Sequence, residues 1–299
     1  MSTKRKSALT LTSLWLLMFA SSSQFFIIAP LLPQIGRHLN IPGNLQGTLI
    51  SVYALALGVT ALFAGPVSDR LGRRKMLLLG SCTMCLMLML HILAYDYFSL
   101  FVIRLLTGVA GGLLTGTCVS YIRDVYPYEK RGFANGIVAT GSAFGQIVAI
   151  PIGILVSEKF GFHSPFQLFG IVMLIAFVMI YLFIVQPRLD ISDESNRKNS
   201  KRLFRSYWEI LKSTSNKATA IGYILMFFSI TIYIVFFPTW MMEVNHFTSG
   251  QVAFLYLVGG IATLAGGPIN ATINPKLITI ATGFLPKKSV ILPIKGPPA

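Results

Sequence analysis

The chain has 299 residues, 54% hydrophobic and only 12% charged, with a mean hydropathy of +0.69. A soluble domain typically carries about 25% charged residues, so a soluble fold is excluded. The formal net charge of +15 would suit a nucleic-acid partner, but the placement of the cations along the chain excludes that reading.

Runs of about 20 mostly apolar residues are needed to cross hydrocarbon as a helix. Eight such runs occur, at 9–33, 46–67, 76–95, 98–122, 133–157, 165–186, 218–241 and 251–270. None alternates as a barrel strand would. Span one follows Lys4, Arg5 and Lys6, a pattern shared with signal peptides, but its apolar run is too long for one. It offers Gln24 and Phe25 just before Ala29-Pro30-Leu-Leu-Pro33. Span two brings Tyr53, a further polar candidate for a substrate cavity.

Between spans two and three stands Gly65-Pro-Val-Ser-Asp69-Arg70-Leu-Gly72-Arg73-Arg74-Lys75, with one acid, four cations and two glycines in eleven residues. Charge of that density in a short loop implies pairing that holds it in place. Gly72 permits a tight reversal, and Gly65 allows close approach of span two to a neighbour. Cys82 and Cys85 would be a redox or zinc motif in a soluble protein. Inside a span they, like Cys118, read as small hydrophobes, and no metal site is expected.

Span four places Arg104 about two turns from one end, and Asp124 just past the other. An ionisable residue at that depth is costly and functional by default. Snorkelling to the nearby surface is the competing account. Span five carries Gly132-x-x-x-Gly136 and Gly141-x-x-x-Gly145, then Pro151 and Gly153, a spacing that permits close helix packing. Gln146 is its polar candidate. No Asp or Glu lies in the middle of any span, so no proton-carrying carboxylate is visible in a cavity.

After span six, the polar stretch 187–217 contains Leu203, Phe204, Tyr207, Trp208, Ile210 and Leu211 at helical spacing, an amphipathic helix suited to a membrane surface. Spans seven and eight follow. Cations crowd alternate connections: Lys4–Lys6, Arg70–Lys75, Arg123–Arg131, and the segment after span six. The other connections hold little beyond Arg37 and Lys159. That asymmetry predicts a cytoplasmic N-terminus. The basic balance therefore reports topology, and no nucleic-acid partner is expected.

The segment Gly65–Lys75 resembles the signature loop of the major facilitator superfamily of secondary transporters, and lies where that family places it. The resemblance covers roughly residues 10–270 and is closest to the drug-efflux branch. It implies an all-α polytopic membrane protein built from two six-helix halves. Residues 1–187 would form a complete N-terminal six-helix half, 188–217 a cytoplasmic linker, and 218–270 two helices of the C-terminal half. By the same resemblance Gly65, Asp69, Arg70, Gly72, Arg73 and Arg74 form a conformational latch, with Arg73 paired to Asp124. Asp69 would face the end of a later helix absent from this chain, which leaves it without its partner. Arg104, Gly108 and Gly112 are similar to a second family motif implicated in proton coupling. Antiporters of the family show a Gly-Pro pair in helix five, where Gln146 follows Gly145 here. Many efflux members also carry an acid near the position of Gln24.

Span eight repeats span two, pairing Gly65 with Gly267 and Pro66 with Pro268, after which the match collapses. Residues 271–299 are rich in proline and read as an aberrant tail without a span, as a frameshift or truncation near 270 would produce. The expected function is therefore alternating-access transport of a small molecule, as efflux driven by an ion gradient. The alternative is a transport-inactive fragment of such a transporter. No ATP-binding loop is present. His38, His91, His163 and His246 are scattered, no catalytic pair is visible, and an enzyme is not expected. The bilayer and a small-molecule substrate are the expected partners, with no cofactor beyond proton coupling and no obligate protein partner.

Overall fold

The computed structural model describes residues 3–186, 214–248, 250–259 and 261–262. The expected surface helix at 203–212, the tail from 271 and most of the second half of span eight lie outside the described residues. Among the described residues, helices come in chain order: α1 (Thr3–Phe26), α2 (Ile28–His38), α3 (Gly43–Gln46), α4 (Thr48–Leu71), α5 (Arg73–Leu90), α6 (Tyr97–Val125), α7 (Tyr128–Phe160), α8 (Ser164–Phe183) and α9 (Thr214–Glu243). A short helix, α10 (Gly250–Gly259), follows among the described residues. Among the described residues, six helical segments, from Ser7–Phe26 to Ser164–Phe183, are long and apolar enough to cross a membrane. They coincide with the first six predicted spans.

Local chemistry explains the boundaries. Span one is broken at Ile27 and then runs past the expected end at Pro33 to His38. Pro30 and Pro33 lack the N–H that an unbroken helix would donate there. Asp96 caps α6: its carboxylate accepts from the Ser99 N–H at 2.7 Å, and Ser99 Oγ accepts from the Asp96 N–H at 3.2 Å. These bonds hold the Asp96 carboxyl below its ordinary pKa. Thr248 and Gln251 make the same reciprocal pair at the start of α10.

The loop expected between spans two and three proves to be a single residue. α4 runs to Leu71 and α5 begins at Arg73, with Gly72 between them at φ +97°. Only glycine adopts that conformation freely, so Gly72 makes the reversal. The charged residues therefore occupy two helix ends.

Most of the extensive helix contacts join helices that are not chain neighbours, the α5–α6 contact excepted. α1 lies against α7 and α8, and α6 against α4 and α5, while α5 also meets α8. Leu14, Leu77, Met84, Leu114, Phe166 and Met173 are fully buried where these helices meet. Lipid offers no hydrophobic drive for helix association, so close backbone approach and polar contacts carry it. The α4–α6 contact shows how. A Cβ on Gly112 would lie 2.5 Å from the Leu57 carbonyl oxygen, and one on Gly108 would collide with that of Tyr53. Gly116 continues the stripe, 2.8 Å from the Ala64 Cβ by the same construction. Gly112→Leu is accordingly expected to prevent recovery of folded protein, and Gly112→Ala to cost about 1–3 kcal/mol through overpacking. Melting temperatures in detergent check this; a Gly112→Leu variant as stable as wild type would show that α4 and α6 part easily.

On α7 the second glycine pair is used and the first is not. Cβ atoms on Gly141 and Gly145 would meet the carbonyl oxygens of Trp15 and Phe19 at 2.5 and 2.8 Å, and one on Gly153 would meet Ile27. A Cβ on Gly132 or Gly136 would meet nothing within 4 Å among the described residues, which corrects the expectation of close packing there. Pro151 sits inside α7, which continues through it. α10 packs on α7 too, through Ala253 against Ile150 and Ile154. It does not use the α7 glycine face, because α1 already occupies it.

Candidate functional site

Two clusters gather most of the residues singled out by sequence. The first, at the charged end, is centred on Arg73, whose side chain is fully buried. Its Nε donates to Asp124 Oδ2 at 2.8 Å, and Nη1 donates to the Gly65 carbonyl at 2.9 Å and to Ser68 Oγ. Nη2 donates to Asp69 Oδ1. The ion pair expected between Arg73 and Asp124 is present, with the Asp124 side chain only 12% exposed.

The electrostatics explain why these charges sit together. Asp69 and Asp124 lie at the C-terminal ends of α4 and α6, where the helix dipole disfavours an anion. Arg73 stands at the N-terminus of α5, where it disfavours a cation. Each misplaced charge is offset by the others. Asp69, expected to lack a partner, is bound by Arg73 one turn away, although half its side chain stays exposed. The expected close approach at Gly65 is also corrected. The nearest atom to a Cβ there is Ser120 Oγ at an ordinary 3.8 Å, and the contribution of Gly65 is its carbonyl.

Arg74 ties this cluster to the end of α8. Its Nη2 donates to the Tyr181 carbonyl at 2.7 Å, and its backbone N–H donates to Gln186 Oε1 at 3.0 Å. The Gln186 contact joins residues 112 apart and has no local signal in the sequence. Arg70 is exposed.

The second cluster lies inside the bundle. Arg104 is fully buried, which corrects the snorkelling account. Its guanidinium lies 4.6 Å from the centroid of the Tyr53 ring, within cation–π range. Nη1 donates to Gln24 Oε1 at 3.0 Å, while Gln24 Nε2 donates to Tyr53 Oη at 2.8 Å and to the Ser21 carbonyl at 3.1 Å. Phe25 stacks on Tyr53 with ring centroids 5.3 Å apart. Three helix segments, α1, α4 and α6, thus bring Gln24, Phe25, Tyr53 and Arg104 together across 80 residues. Gly108 and Gly112 do not face this cluster as polar partners; they set the α4–α6 distance that delivers Tyr53 to it. Gln146 is half-buried on α7, and no hydrogen bond joins it to the cluster among the described residues.

At the end opposite Arg73, three of the four histidines meet rather than scatter. His91 Nδ1 donates to the Met87 carbonyl at 2.8 Å, and His163 Nδ1 donates to the His91 carbonyl at 2.6 Å. The His38 and His163 rings are 6.4 Å apart. Partial burial lowers the pKa of His163, a shift opposed by its bond to the His91 carbonyl. No group of three or more metal-ligating side chains occurs among the described residues.

Two elements escaped the sequence reading. Gly116 was legible, as the next step of the four-residue spacing Gly108, Gly112. Gln186 was not.

The comparisons with known proteins agree with this architecture. A family model described as Major Facilitator Superfamily matches residues 14–286. The uncharacterized MFS-type transporter YceJ of Bacillus subtilis is 26% identical over 278 residues, which cover 91% of this chain and 70% of that protein. The multidrug resistance protein MdtG of Proteus mirabilis is 27% identical over 259 residues, 84% of this chain and 59% of that one. Among solved structures, a bacterial homolog of the human lysosomal transporter Spinster, inward-facing and unoccupied, superposes with a TM-score of 0.72 at 18% identity. That match covers 92% of this chain and 64% of the solved one, and shows the fold alone. With the family model spanning nearly all of its length, the chain belongs to the Major Facilitator Superfamily.

Proposed function

We propose that this chain is a small-molecule transporter of the cell membrane, working by alternating access and moving its substrate outward under an ion gradient. The observation that carries the reading is the buried cluster of Arg104, Gln24 and Tyr53. A charged side chain is expensive in an apolar bundle and is retained where a solute or ion must be handled. Likeness to a protein named for multidrug resistance supports the outward direction. In this reading the Arg73 network is the latch: it holds the ends of α4, α5 and α6 in one arrangement and must loosen when the bundle changes state.

Purified chain reconstituted in liposomes tests the activity. Flux of a solute down or against an imposed ion gradient is the expected result. No flux for any solute in a broad panel would assign the chain to the inactive reading. The cation pattern supports a cytoplasmic N-terminus and a cytoplasmic segment 187–217. Accordingly, a cysteine introduced at Ser195 should resist an impermeant thiol reagent added to intact cells. Efficient labelling from outside would reverse the orientation.

A further inference from the structure

Among the described residues, Arg104 is a buried cation with no anion. No salt bridge involves it among the described residues; the three present join Arg73 and Arg123 to Asp69 and Asp124. Its partners are the neutral Gln24 amide and the Tyr53 ring, with the Leu49 carbonyl at a long 3.5 Å. Nη2 is buried and has no hydrogen-bond partner among the described residues. A second orphan lies within electrostatic range, on the fully buried His91. Its Nδ1 donates to the Met87 carbonyl, and its Nε2 is buried without a partner among the described residues. A buried guanidinium that served only packing would be matched by a carboxylate or replaced by an apolar side chain. Here the position that would supply that carboxylate, 3.0 Å from Nη1, holds Gln24.

Resting on the transporter reading above, we propose that Arg104 binds the anionic group of the solute, which supplies the missing countercharge. The solute class is an organic oxyanion, a carboxylate or phosphate, with an aromatic or apolar body. Arg104 Nη2 donates to the oxyanion. The body of the solute meets Phe25, which stacks on Tyr53, and Phe26 next to it, both partly exposed and with ring centroids 5.0 Å apart. Arg104 has no exposed surface in this arrangement, so the solute reaches it when the helices around it part. The charge also gives a direction, because an inside-negative membrane potential favours the exit of an anion. No titratable carboxylate is then required in the cluster.

The test uses the full chain, purified in detergent, and four probes of similar size: benzoate, phenyl phosphate, benzyl alcohol and benzylamine. Either anion should raise the melting temperature with concentration, and the neutral and cationic probes should not. A preference between benzoate and phenyl phosphate identifies which oxyanion the site takes. Gln24→Glu places a carboxylate beside Nη1 and should weaken anion binding at least about tenfold, the scale of a lost hydrogen bond to a charged group. Because that change keeps size and restores a charge pair, it guards against loss of folding in Arg104→Gln, for which the same loss is expected. Arg104→Lys should retain part of the affinity. The proposal is overturned if no anion binds the wild type, if benzylamine or benzyl alcohol binds as tightly, or if Gln24→Glu leaves anion affinity unchanged. Binding without flux in liposomes would sink the transport reading alone. Flux of a neutral or cationic solute, with no anion binding, would sink this one alone.

Discussion

Arg73→Ala should destabilise the protein by about 3 kcal/mol, the lower part of the range for breaking a buried ion pair. The argument rests on what is left behind. Asp124, only 12% exposed, would retain Arg123 alone, at 3.4 Å and on an exposed side chain. Two groups on α4, the Gly65 carbonyl and Ser68 Oγ, would lose a donor as well. Asp69 is half exposed and would be rehydrated, so it contributes little to the loss. Arg73→Lys should recover part of the stability, because an ammonium keeps the charge but cannot reach three directions in one plane. Thermal unfolding of the detergent-solubilised protein measures both. A double-mutant cycle with Asp124→Ala should give a coupling of about 1 kcal/mol or more between the two side chains. An Arg73→Ala variant indistinguishable from wild type would mean that Asp124 finds another partner and that the network does not hold α4, α5 and α6 together.

Arg104→Met should act in the opposite sense. Replacing a buried ion pair by apolar side chains of similar volume is often neutral or stabilises by about 1–4 kcal/mol, and a lone buried charge has no Coulomb partner to give up. Against this stand the loss of the cation–π contact with Tyr53, about 1–2 kcal/mol, and an unpaired Gln24 Oε1 at a similar cost. Because no carboxylate shares the charge of Arg104, the desolvation of an unpaired guanidinium dominates. A net gain of about 1 kcal/mol is expected, with loss of solute binding. A higher melting temperature together with abolished anion binding is the expected pair of results. A lower melting temperature would identify Arg104 as a structural member of the bundle.

The sequence by itself determined what depends on composition, length and local geometry. Eight apolar runs and 12% charge require a helical membrane protein, because each span must satisfy its own backbone. Gly72 between Leu71 and Arg73 permits a tight reversal, since its freedom acts within one turn of chain. Even the pairing of Arg73 with Asp124 was legible, through resemblance to a family whose loop needs an acid at the end of span four. Tertiary structure alone decided which residues meet across helices. Neither the four-residue spacing of glycines on α7 nor that on α6 says which neighbour will fill the groove. The answer came from packing: α1 takes Gly141 and Gly145, α4 takes Gly108 and Gly112, and Gly132 and Gly136 are left open. Likewise Gln24, Tyr53 and Arg104 are separate polar residues along the chain. They form one site because α6 presses its glycine stripe onto α4, and α1 crosses beside them. That closeness leaves a buried cation bonded to an amide where a carboxylate would have neutralised it.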